Sequence, residues 1–140
     1  MYGYNIFMPK NMSLHTVSER IGELLQVIAP PPRIAILLAI GTGEACVCHL
    51  EAALGWRQAY ISQHLMALRK VDILTDRRDG RYVFYRLRDA SLLDLVLDSA
   101  RLGGLSAESV SALVNTQVNP SCECPHCAPA LIPVEDLKAP

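Results

Sequence analysis

The stretch CVCHLEAALGWRQAYISQHLMALRK, Cys46 to Lys70, decides the fold. Val47, Leu50 and Leu54 are the inward positions of a short helix over Cys46 to Leu54, and Gly55 breaks it. A second helix follows from about Gln58 to Lys70, where Ile61, Leu65 and Leu68 form one stripe while Gln58, Ala59, Tyr60, Gln63 and His64 point elsewhere. Two short helices joined by a three- or four-residue turn containing glycine make a helix-turn-helix, whose second helix enters a DNA major groove.

On the C-terminal side, Leu74 to Arg78 and Arg81 to Leu87 read as strands joined by Asp79-Gly80. Asp-Gly signals a type I′ hairpin, in which both central residues have positive φ. In the second strand Val83, Tyr85 and Leu87 alternate with Tyr82, Phe84 and Arg86, so one face packs while the other meets solvent or DNA. The hairpin is a two-stranded wing with arginines at its tip. Leu92, Leu93, Leu95, Val96 and Leu97 then make a helix too apolar for a solvated surface. Ser106 caps a last helix, about Ala107 to Val114.

On the N-terminal side, Val17, Ile21, Leu24, Leu25 and Ile28 recur at helical spacing, and Pro30, Pro31 and Pro32 end that helix. The same prolines open a second helix, Arg33 to Ile40, which is apolar almost all round and stops at Gly41 and Gly43. The predicted class is mainly α with a small β-hairpin wing (α+β). It is a winged helix-turn-helix over residues 13–114, forming a homodimer through its first and fifth helices. A symmetric dimer sets two recognition helices about one DNA turn, roughly 34 Å, apart. Residues 115–140 hold five of the nine prolines and are predicted to be an irregular tail.

A chain of 140 residues that is 51% hydrophobic suffices for one compact domain. No stretch approaches the roughly 20 apolar residues needed to span a bilayer, and Met1 to Met12 lacks the apolar run of a signal peptide. The expectation is a cytoplasmic protein with no membrane partner. The net charge of -1 hides an asymmetry, because residues 57–88 carry eight basic side chains against three acidic ones. A local positive face is what the phosphate backbone of double-stranded DNA selects. Gln58, Tyr60 and Gln63 are expected at base edges, with Ala59, Ser62 and His64 on the same DNA-facing helix. Arg77, Arg78 and Arg81 are expected at phosphates or in the minor groove, and Arg69 is a further DNA-binding candidate.

All five cysteines fall in two clusters, Cys46 and Cys48, then Cys122, Cys124 and Cys127. An odd number fits poorly with a closed disulfide framework, and a reducing cytosol keeps thiols free. Thiolates bind soft metals and respond to oxidants, so thiols bracketing a DNA reader suggest a sensor joined to its effector. On an ideal helix, positions i and i+2 lie about 200° apart. Cys46 and Cys48 therefore face one ion only if the helix begins between them or distorts; otherwise one of them is a small buried hydrophobe. Cys122, Cys124, Cys127 and His126 lie within six residues of irregular chain, where all can turn inward. Three thiolates suit arsenite or lead, whereas four sulfurs, or three plus an imidazole, suit cadmium or zinc. Cys124-Pro125-His126-Cys127 also has the spacing of a thioredoxin-type CxxC. That motif needs a strand before it and a helix after it, and only thirteen residues, Pro129 and Pro133 among them, follow Cys127. A non-enzymatic role is expected.

The run Leu50, Leu54-Gly55, Ser62, His64-Leu65, Leu68-Arg69, Ile73-Leu74, Asp79-Gly80-Arg81 and Tyr85-Arg86-Leu87 resembles the ArsR/SmtB family of winged-helix metal-sensing repressors, over roughly residues 15–101. The resemblance implies a dimer that represses an operator when metal-free and lets go when a metal or metalloid binds. Cys46-Val47-Cys48 matches the Cys-Val-Cys run that thiophilic members use as ligands, with His49 where many carry Asp. Two departures are visible. Arg57 stands at the cap position before the recognition helix in place of Ser or Thr. The fifth helix has Asp89 and Ser91 near its start but no histidine, so no interhelical zinc site is expected there. The function expected is a metal(loid)-responsive repressor whose inducing ion, arsenite, cadmium, lead or zinc, binds Cys46, Cys48, Cys122, Cys124 and Cys127. Two alternatives stay open: a redox or persulfide sensor using a disulfide between Cys46 or Cys48 and a tail cysteine, and a tail that holds its own separate ion.

Overall fold

The computed structural model describes residues 12–114 and 122–125. The elements run α1 (Leu14–Ile28), α2 (Pro31–Ile40), β1 (Glu44–Cys46), α3 (Val47–Leu54), α4 (Gln58–Lys70), β2 (Leu74–Asp79), β3 (Tyr82–Leu87), α5 (Ser91–Leu102) and α6 (Ala107–Val114). Ser13 caps α1 by accepting the Thr16 N–H at 3.2 Å. Pro31 and Pro32 occupy the first turn of α2, where a missing N–H costs nothing. Between α3 and α4, Gly55 takes a left-handed conformation (φ 70°, ψ 22°) and donates its N–H to the Glu51 carbonyl at 2.8 Å. Arg57 stands at the cap of α4 and makes no side-chain capping bond.

The helix-turn-helix stripes face inward as the spacing requires. Leu50, Ile61, Leu65 and Leu68 are fully buried with Ile36, Leu37 and Ile40 of α2, Ile73 and Leu74. Each such side chain contributes about 1.5–3 kcal/mol by leaving water. Leu92 and Val96 of α5 close the same core. α1 behaves differently. Only Ile28 of its stripe is buried, while Ile21 and Leu25 remain 53% and 44% exposed. Among the described residues no single helix is long and apolar enough to cross a membrane.

The sheet departs from expectation in three ways. It has three antiparallel strands in the order β1-β3-β2, where a two-stranded hairpin was predicted. The third strand is Glu44–Cys46, so Cys46 is extended and α3 begins one residue later than predicted. The hairpin loop is Gly80-Arg81, with Asp79 opposite Tyr82. Gly80 has φ 59° and Arg81 has no positive φ, which fits a type II′ turn and excludes the predicted type I′. Register explains the shift. A loop at Asp79-Gly80 would set Arg78 against Arg81, whereas the observed register pairs Arg78 with Val83 and Leu74 with Leu87. Finally, Phe84, on the face expected to meet solvent or DNA, is only 1% exposed.

Candidate metal centre and DNA-facing surface

Cys46 ends β1 and also serves as the N-cap of α3 (φ -86°, ψ 168°), its Sγ accepting the His49 N–H at 3.4 Å. Cys48 lies in the first turn of that helix. Because the helix begins between the two cysteines, one is extended and the other helical, and their sulfurs come to 3.0 Å. The tail residues Cys122 and Cys124 complete the group. Cys122 Sγ lies 2.6 Å from Cys48 Sγ and 3.7 Å from Cys46 Sγ, and all four sulfurs fall within 4.8 Å of one another. Cys46, Cys122 and Cys124 are buried and Cys48 is half-buried. Phe84 packs with the thiols, and the Tyr82 hydroxyl donates to the Glu123 carbonyl at 3.3 Å, holding this piece of tail on β3. Cys127 and His126 lie outside the described residues.

Burial governs the protonation of these thiols. It pushes Cys48 up to about 11, with the neighbouring Cys122 adding to the effect. Cys46 and Cys122 move in the same direction, again chiefly because burial disfavours the anion. At neutral pH the group is a cluster of thiols that gives up protons when a cation replaces them. A tetrahedral thiolate site with bonds of roughly 2.3 Å holds its sulfurs about 3.8 Å apart. The Cys46–Cys122 separation already matches, and the closer pairs need to part by about 1 Å. With sulfur its only donor, the set fits a thiophilic ion and suits magnesium or calcium poorly.

The residues expected at DNA are spread over α4 and the wing. Gln58, Ala59, Tyr60 and Gln63 are exposed and Ser62 is half-buried. His64 turns toward the body of the protein. Arg33 of α2 directs its Nε–H at His64 Nδ1 from 3.5 Å, the Tyr60 ring stands edge-on at 4.8 Å, and His64 Nε2 is buried with no partner. Burial and then the Arg33 charge lower its pKa, so the ring is neutral. Arg69 pairs with Asp76 at 2.8 Å. Arg77 pairs with Glu44 and lies over Phe84, Arg78 is exposed, and Arg81 lies 5.4 Å from the centre of the Tyr82 ring. Trp56 is half-buried against the core and meets Tyr60 edge-on.

Glu44, Tyr82, Phe84 and Arg33 were not singled out from the sequence. Only Tyr82 and Phe84 left a signal there, as large aromatics on the face of the wing assigned to solvent or DNA.

The sequence profile of the arsR family of bacterial regulatory proteins matches residues 30–76. The chain is 41% identical over 91 residues to the HTH-type transcriptional repressor SmtB of Mycobacterium tuberculosis, covering 65% of this chain and 67% of that protein. It is 42% identical over 66 residues to the arsenical resistance operon repressor of Escherichia coli, covering 46% of this chain and 56% of that one. Among solved structures, NolR from Sinorhizobium fredii superposes with a TM-score of 0.60 at 26% identity, covering 71% of this chain and 100% of that chain. A match across two thirds of a whole repressor, on a winged helix-turn-helix frame, places this chain in the ArsR/SmtB family of transcriptional regulators.

Proposed function

We propose that this protein is a metal(loid)-responsive repressor that binds operator DNA as a dimer and lets go when a thiophilic ion is held by Cys46, Cys48, Cys122 and Cys124. The observation that carries the proposal is the convergence of four sulfurs, two from the start of α3 and two from the tail. Cadmium and zinc use all four, while arsenite and lead use three; Cys127 is a further candidate from the tail. The similarity to a repressor of an arsenical resistance operon supports the class of ion. α4 is the recognition helix, with Gln58, Tyr60 and Gln63 at base edges. Arg78 and Arg81 reach phosphates, Arg69 does so on leaving Asp76, and Ala59 and Ser62 complete the helix surface with His64 held behind it beside Arg33. The open apolar stripe of α1 is covered by a second copy of the chain, together with the exposed end of α5 at Leu102. Operator binding places its action in the cytoplasm.

The 2.6 Å between Cys48 and Cys122 also favours a second use, a disulfide formed on oxidation. Against it, burial keeps the thiols protonated, and the thiolate is the form that oxidants attack. The test is a gel shift, under anaerobic conditions, with duplex DNA from the region upstream of the protein's own gene. Arsenite, cadmium, lead or zinc is added in turn. A responding ion weakens binding by about 5–150-fold, the range of a 1–3 kcal/mol coupling. Affinity unchanged by all four ions overturns the proposal, and loss of binding on metal-free oxidation, reversed by reductant, establishes the disulfide in its place.

A further inference from the structure

One row of the sheet joins the thiols to an arginine of the wing. β3 lies between β1 and β2, and Phe84 is opposite Cys46 on one side and opposite Arg77 on the other. Residues opposite one another share a face, so sulfur, ring and guanidinium form a line. The Arg77 Cζ stands 4.5 Å over the Phe84 ring. Glu44, two residues before Cys46, is on that same face of β1. Its carboxylate grips Arg77 across the sheet, with Nε at 2.8 Å from Oε2 and 3.1 Å from Oε1, and with Nη2 on Oε1 as well. Asp79 lies 4.0 Å from the other nitrogen of the same guanidinium. Among the described residues, Arg78 and Arg81 have no such carboxylate. Of these three arginines, the one nearest the thiols is thus the one whose charge is answered inside the chain.

We infer that Glu44 is a positioning residue that withholds Arg77 from DNA while Cys122 and Cys124 lie against Phe84. The inference rests on the repressor reading and adds a route from the thiols to the wing. A bidentate carboxylate occupies the same fork of N–H groups that a phosphate would take, so the two compete for one guanidinium. The tail decides which wins. Cys122 and Cys124 pack on Phe84, and this cover gives the Glu44–Arg77 pair an apolar floor. Coulomb attraction is stronger beside low-dielectric surface than in water. The Arg77 side chain is already 51% exposed on its open side, so when the tail lifts and water reaches the ring as well, the pair weakens further and Arg77 turns to a phosphate.

The test uses the full-length protein, the upstream duplex and a series of potassium chloride concentrations, with and without cadmium chloride, under anaerobic conditions. Each phosphate contact contributes about 0.9 to the slope of log affinity against log salt. For the wild type, cadmium is expected to make that slope shallower by about 0.9. Glu44→Gln keeps the size of the side chain and removes its charge, so it should hold the steeper slope in both conditions. Arg77→Ala should show the shallower slope in both, and it reads out the contact even where the Glu44 variant folds poorly. A cadmium-dependent change of slope that survives in either variant overturns the inference. A wild type whose affinity falls with cadmium at constant slope overturns it too and leaves the repressor reading intact. A wild type whose DNA affinity ignores cadmium overturns the inference, and one that ignores arsenite, lead and zinc as well overturns both.

Discussion

The protonated state of the thiol cluster makes the pH dependence of ion binding a count of its sulfurs. Cys46, Cys48 and Cys122 are all held above their ordinary range by burial, Cys48 at about 11. Each therefore carries its proton through the neutral range and loses it when bound as a thiolate. The sign follows directly. Raising the pH strengthens ion binding, by about tenfold per pH unit for each proton released, until the solution approaches the thiol's own raised value. Three thiolates predict roughly a thousandfold gain between pH 6.5 and 7.5, and a fourth from Cys124 predicts about ten thousandfold. The assay is an anaerobic cadmium titration against a chelator of known pH dependence, followed by sulfur-to-cadmium charge-transfer absorption. Cys124→Ala should lower the slope by one. A slope of two or less in the wild type refutes the reasoning, because it would mean that only one pair of sulfurs is deprotonated and that the tail does not join Cys46 and Cys48 on the ion.

Other perturbations test the frame that carries the site. Leu65→Ala removes a fully buried side chain from the inward stripe of α4 and should cost about 2–5 kcal/mol, read as a shift of the denaturation midpoint at fixed protein concentration. Gly55→Ala meets no atom within 4 Å but forces a side chain into a left-handed conformation, so a loss of about 1–2 kcal/mol is expected, and Gly55→Asn should lose less. Arg57→Ser supplies the missing cap of α4 on a backbone already extended (φ -70°, ψ 146°), and should raise stability by roughly 1 kcal/mol in thermal denaturation.

The helices were legible because their signals are local. α4 and α6 begin and end where the apolar spacing and Ser106 place them, and Gly55 marks the turn between α3 and α4 by the conformation that it alone adopts cheaply. β1 was not legible, since three residues are too few to show an alternation. The hairpin loop was misplaced by one residue because the Asp-Gly preference is local, while the register answers to Leu74 meeting Leu87 across the sheet. The meeting of the two cysteine clusters lies further out of reach. Cys48 and Cys122 are 74 residues apart, and composition states their chemistry without stating where the tail lies.

The spacing Cys46-Val47-Cys48 acquires its use from the junction at which it sits. Within a continuous helix the two thiols diverge, but a strand that becomes a helix between them brings the sulfurs to 3.0 Å. The same junction gives Cys46 two structural duties, as the capping acceptor for His49 N–H and as the cross-strand partner of Phe84. The first duty reaches α3, whose Leu50 packs in one core with Ile61 and Leu65 of α4. The second reaches the wing. An anion at a helix N-terminus is favoured by the helix dipole, so a Cys46 thiolate would strengthen the first contact, while the second lies under Cys122 and Cys124. On the proposed repressor reading, one change at one sulfur is expected to reach both recognition helix and wing, and a variant that uncouples only one of them, such as Glu44→Gln at the wing, should keep part of the response to the ion and lose the rest.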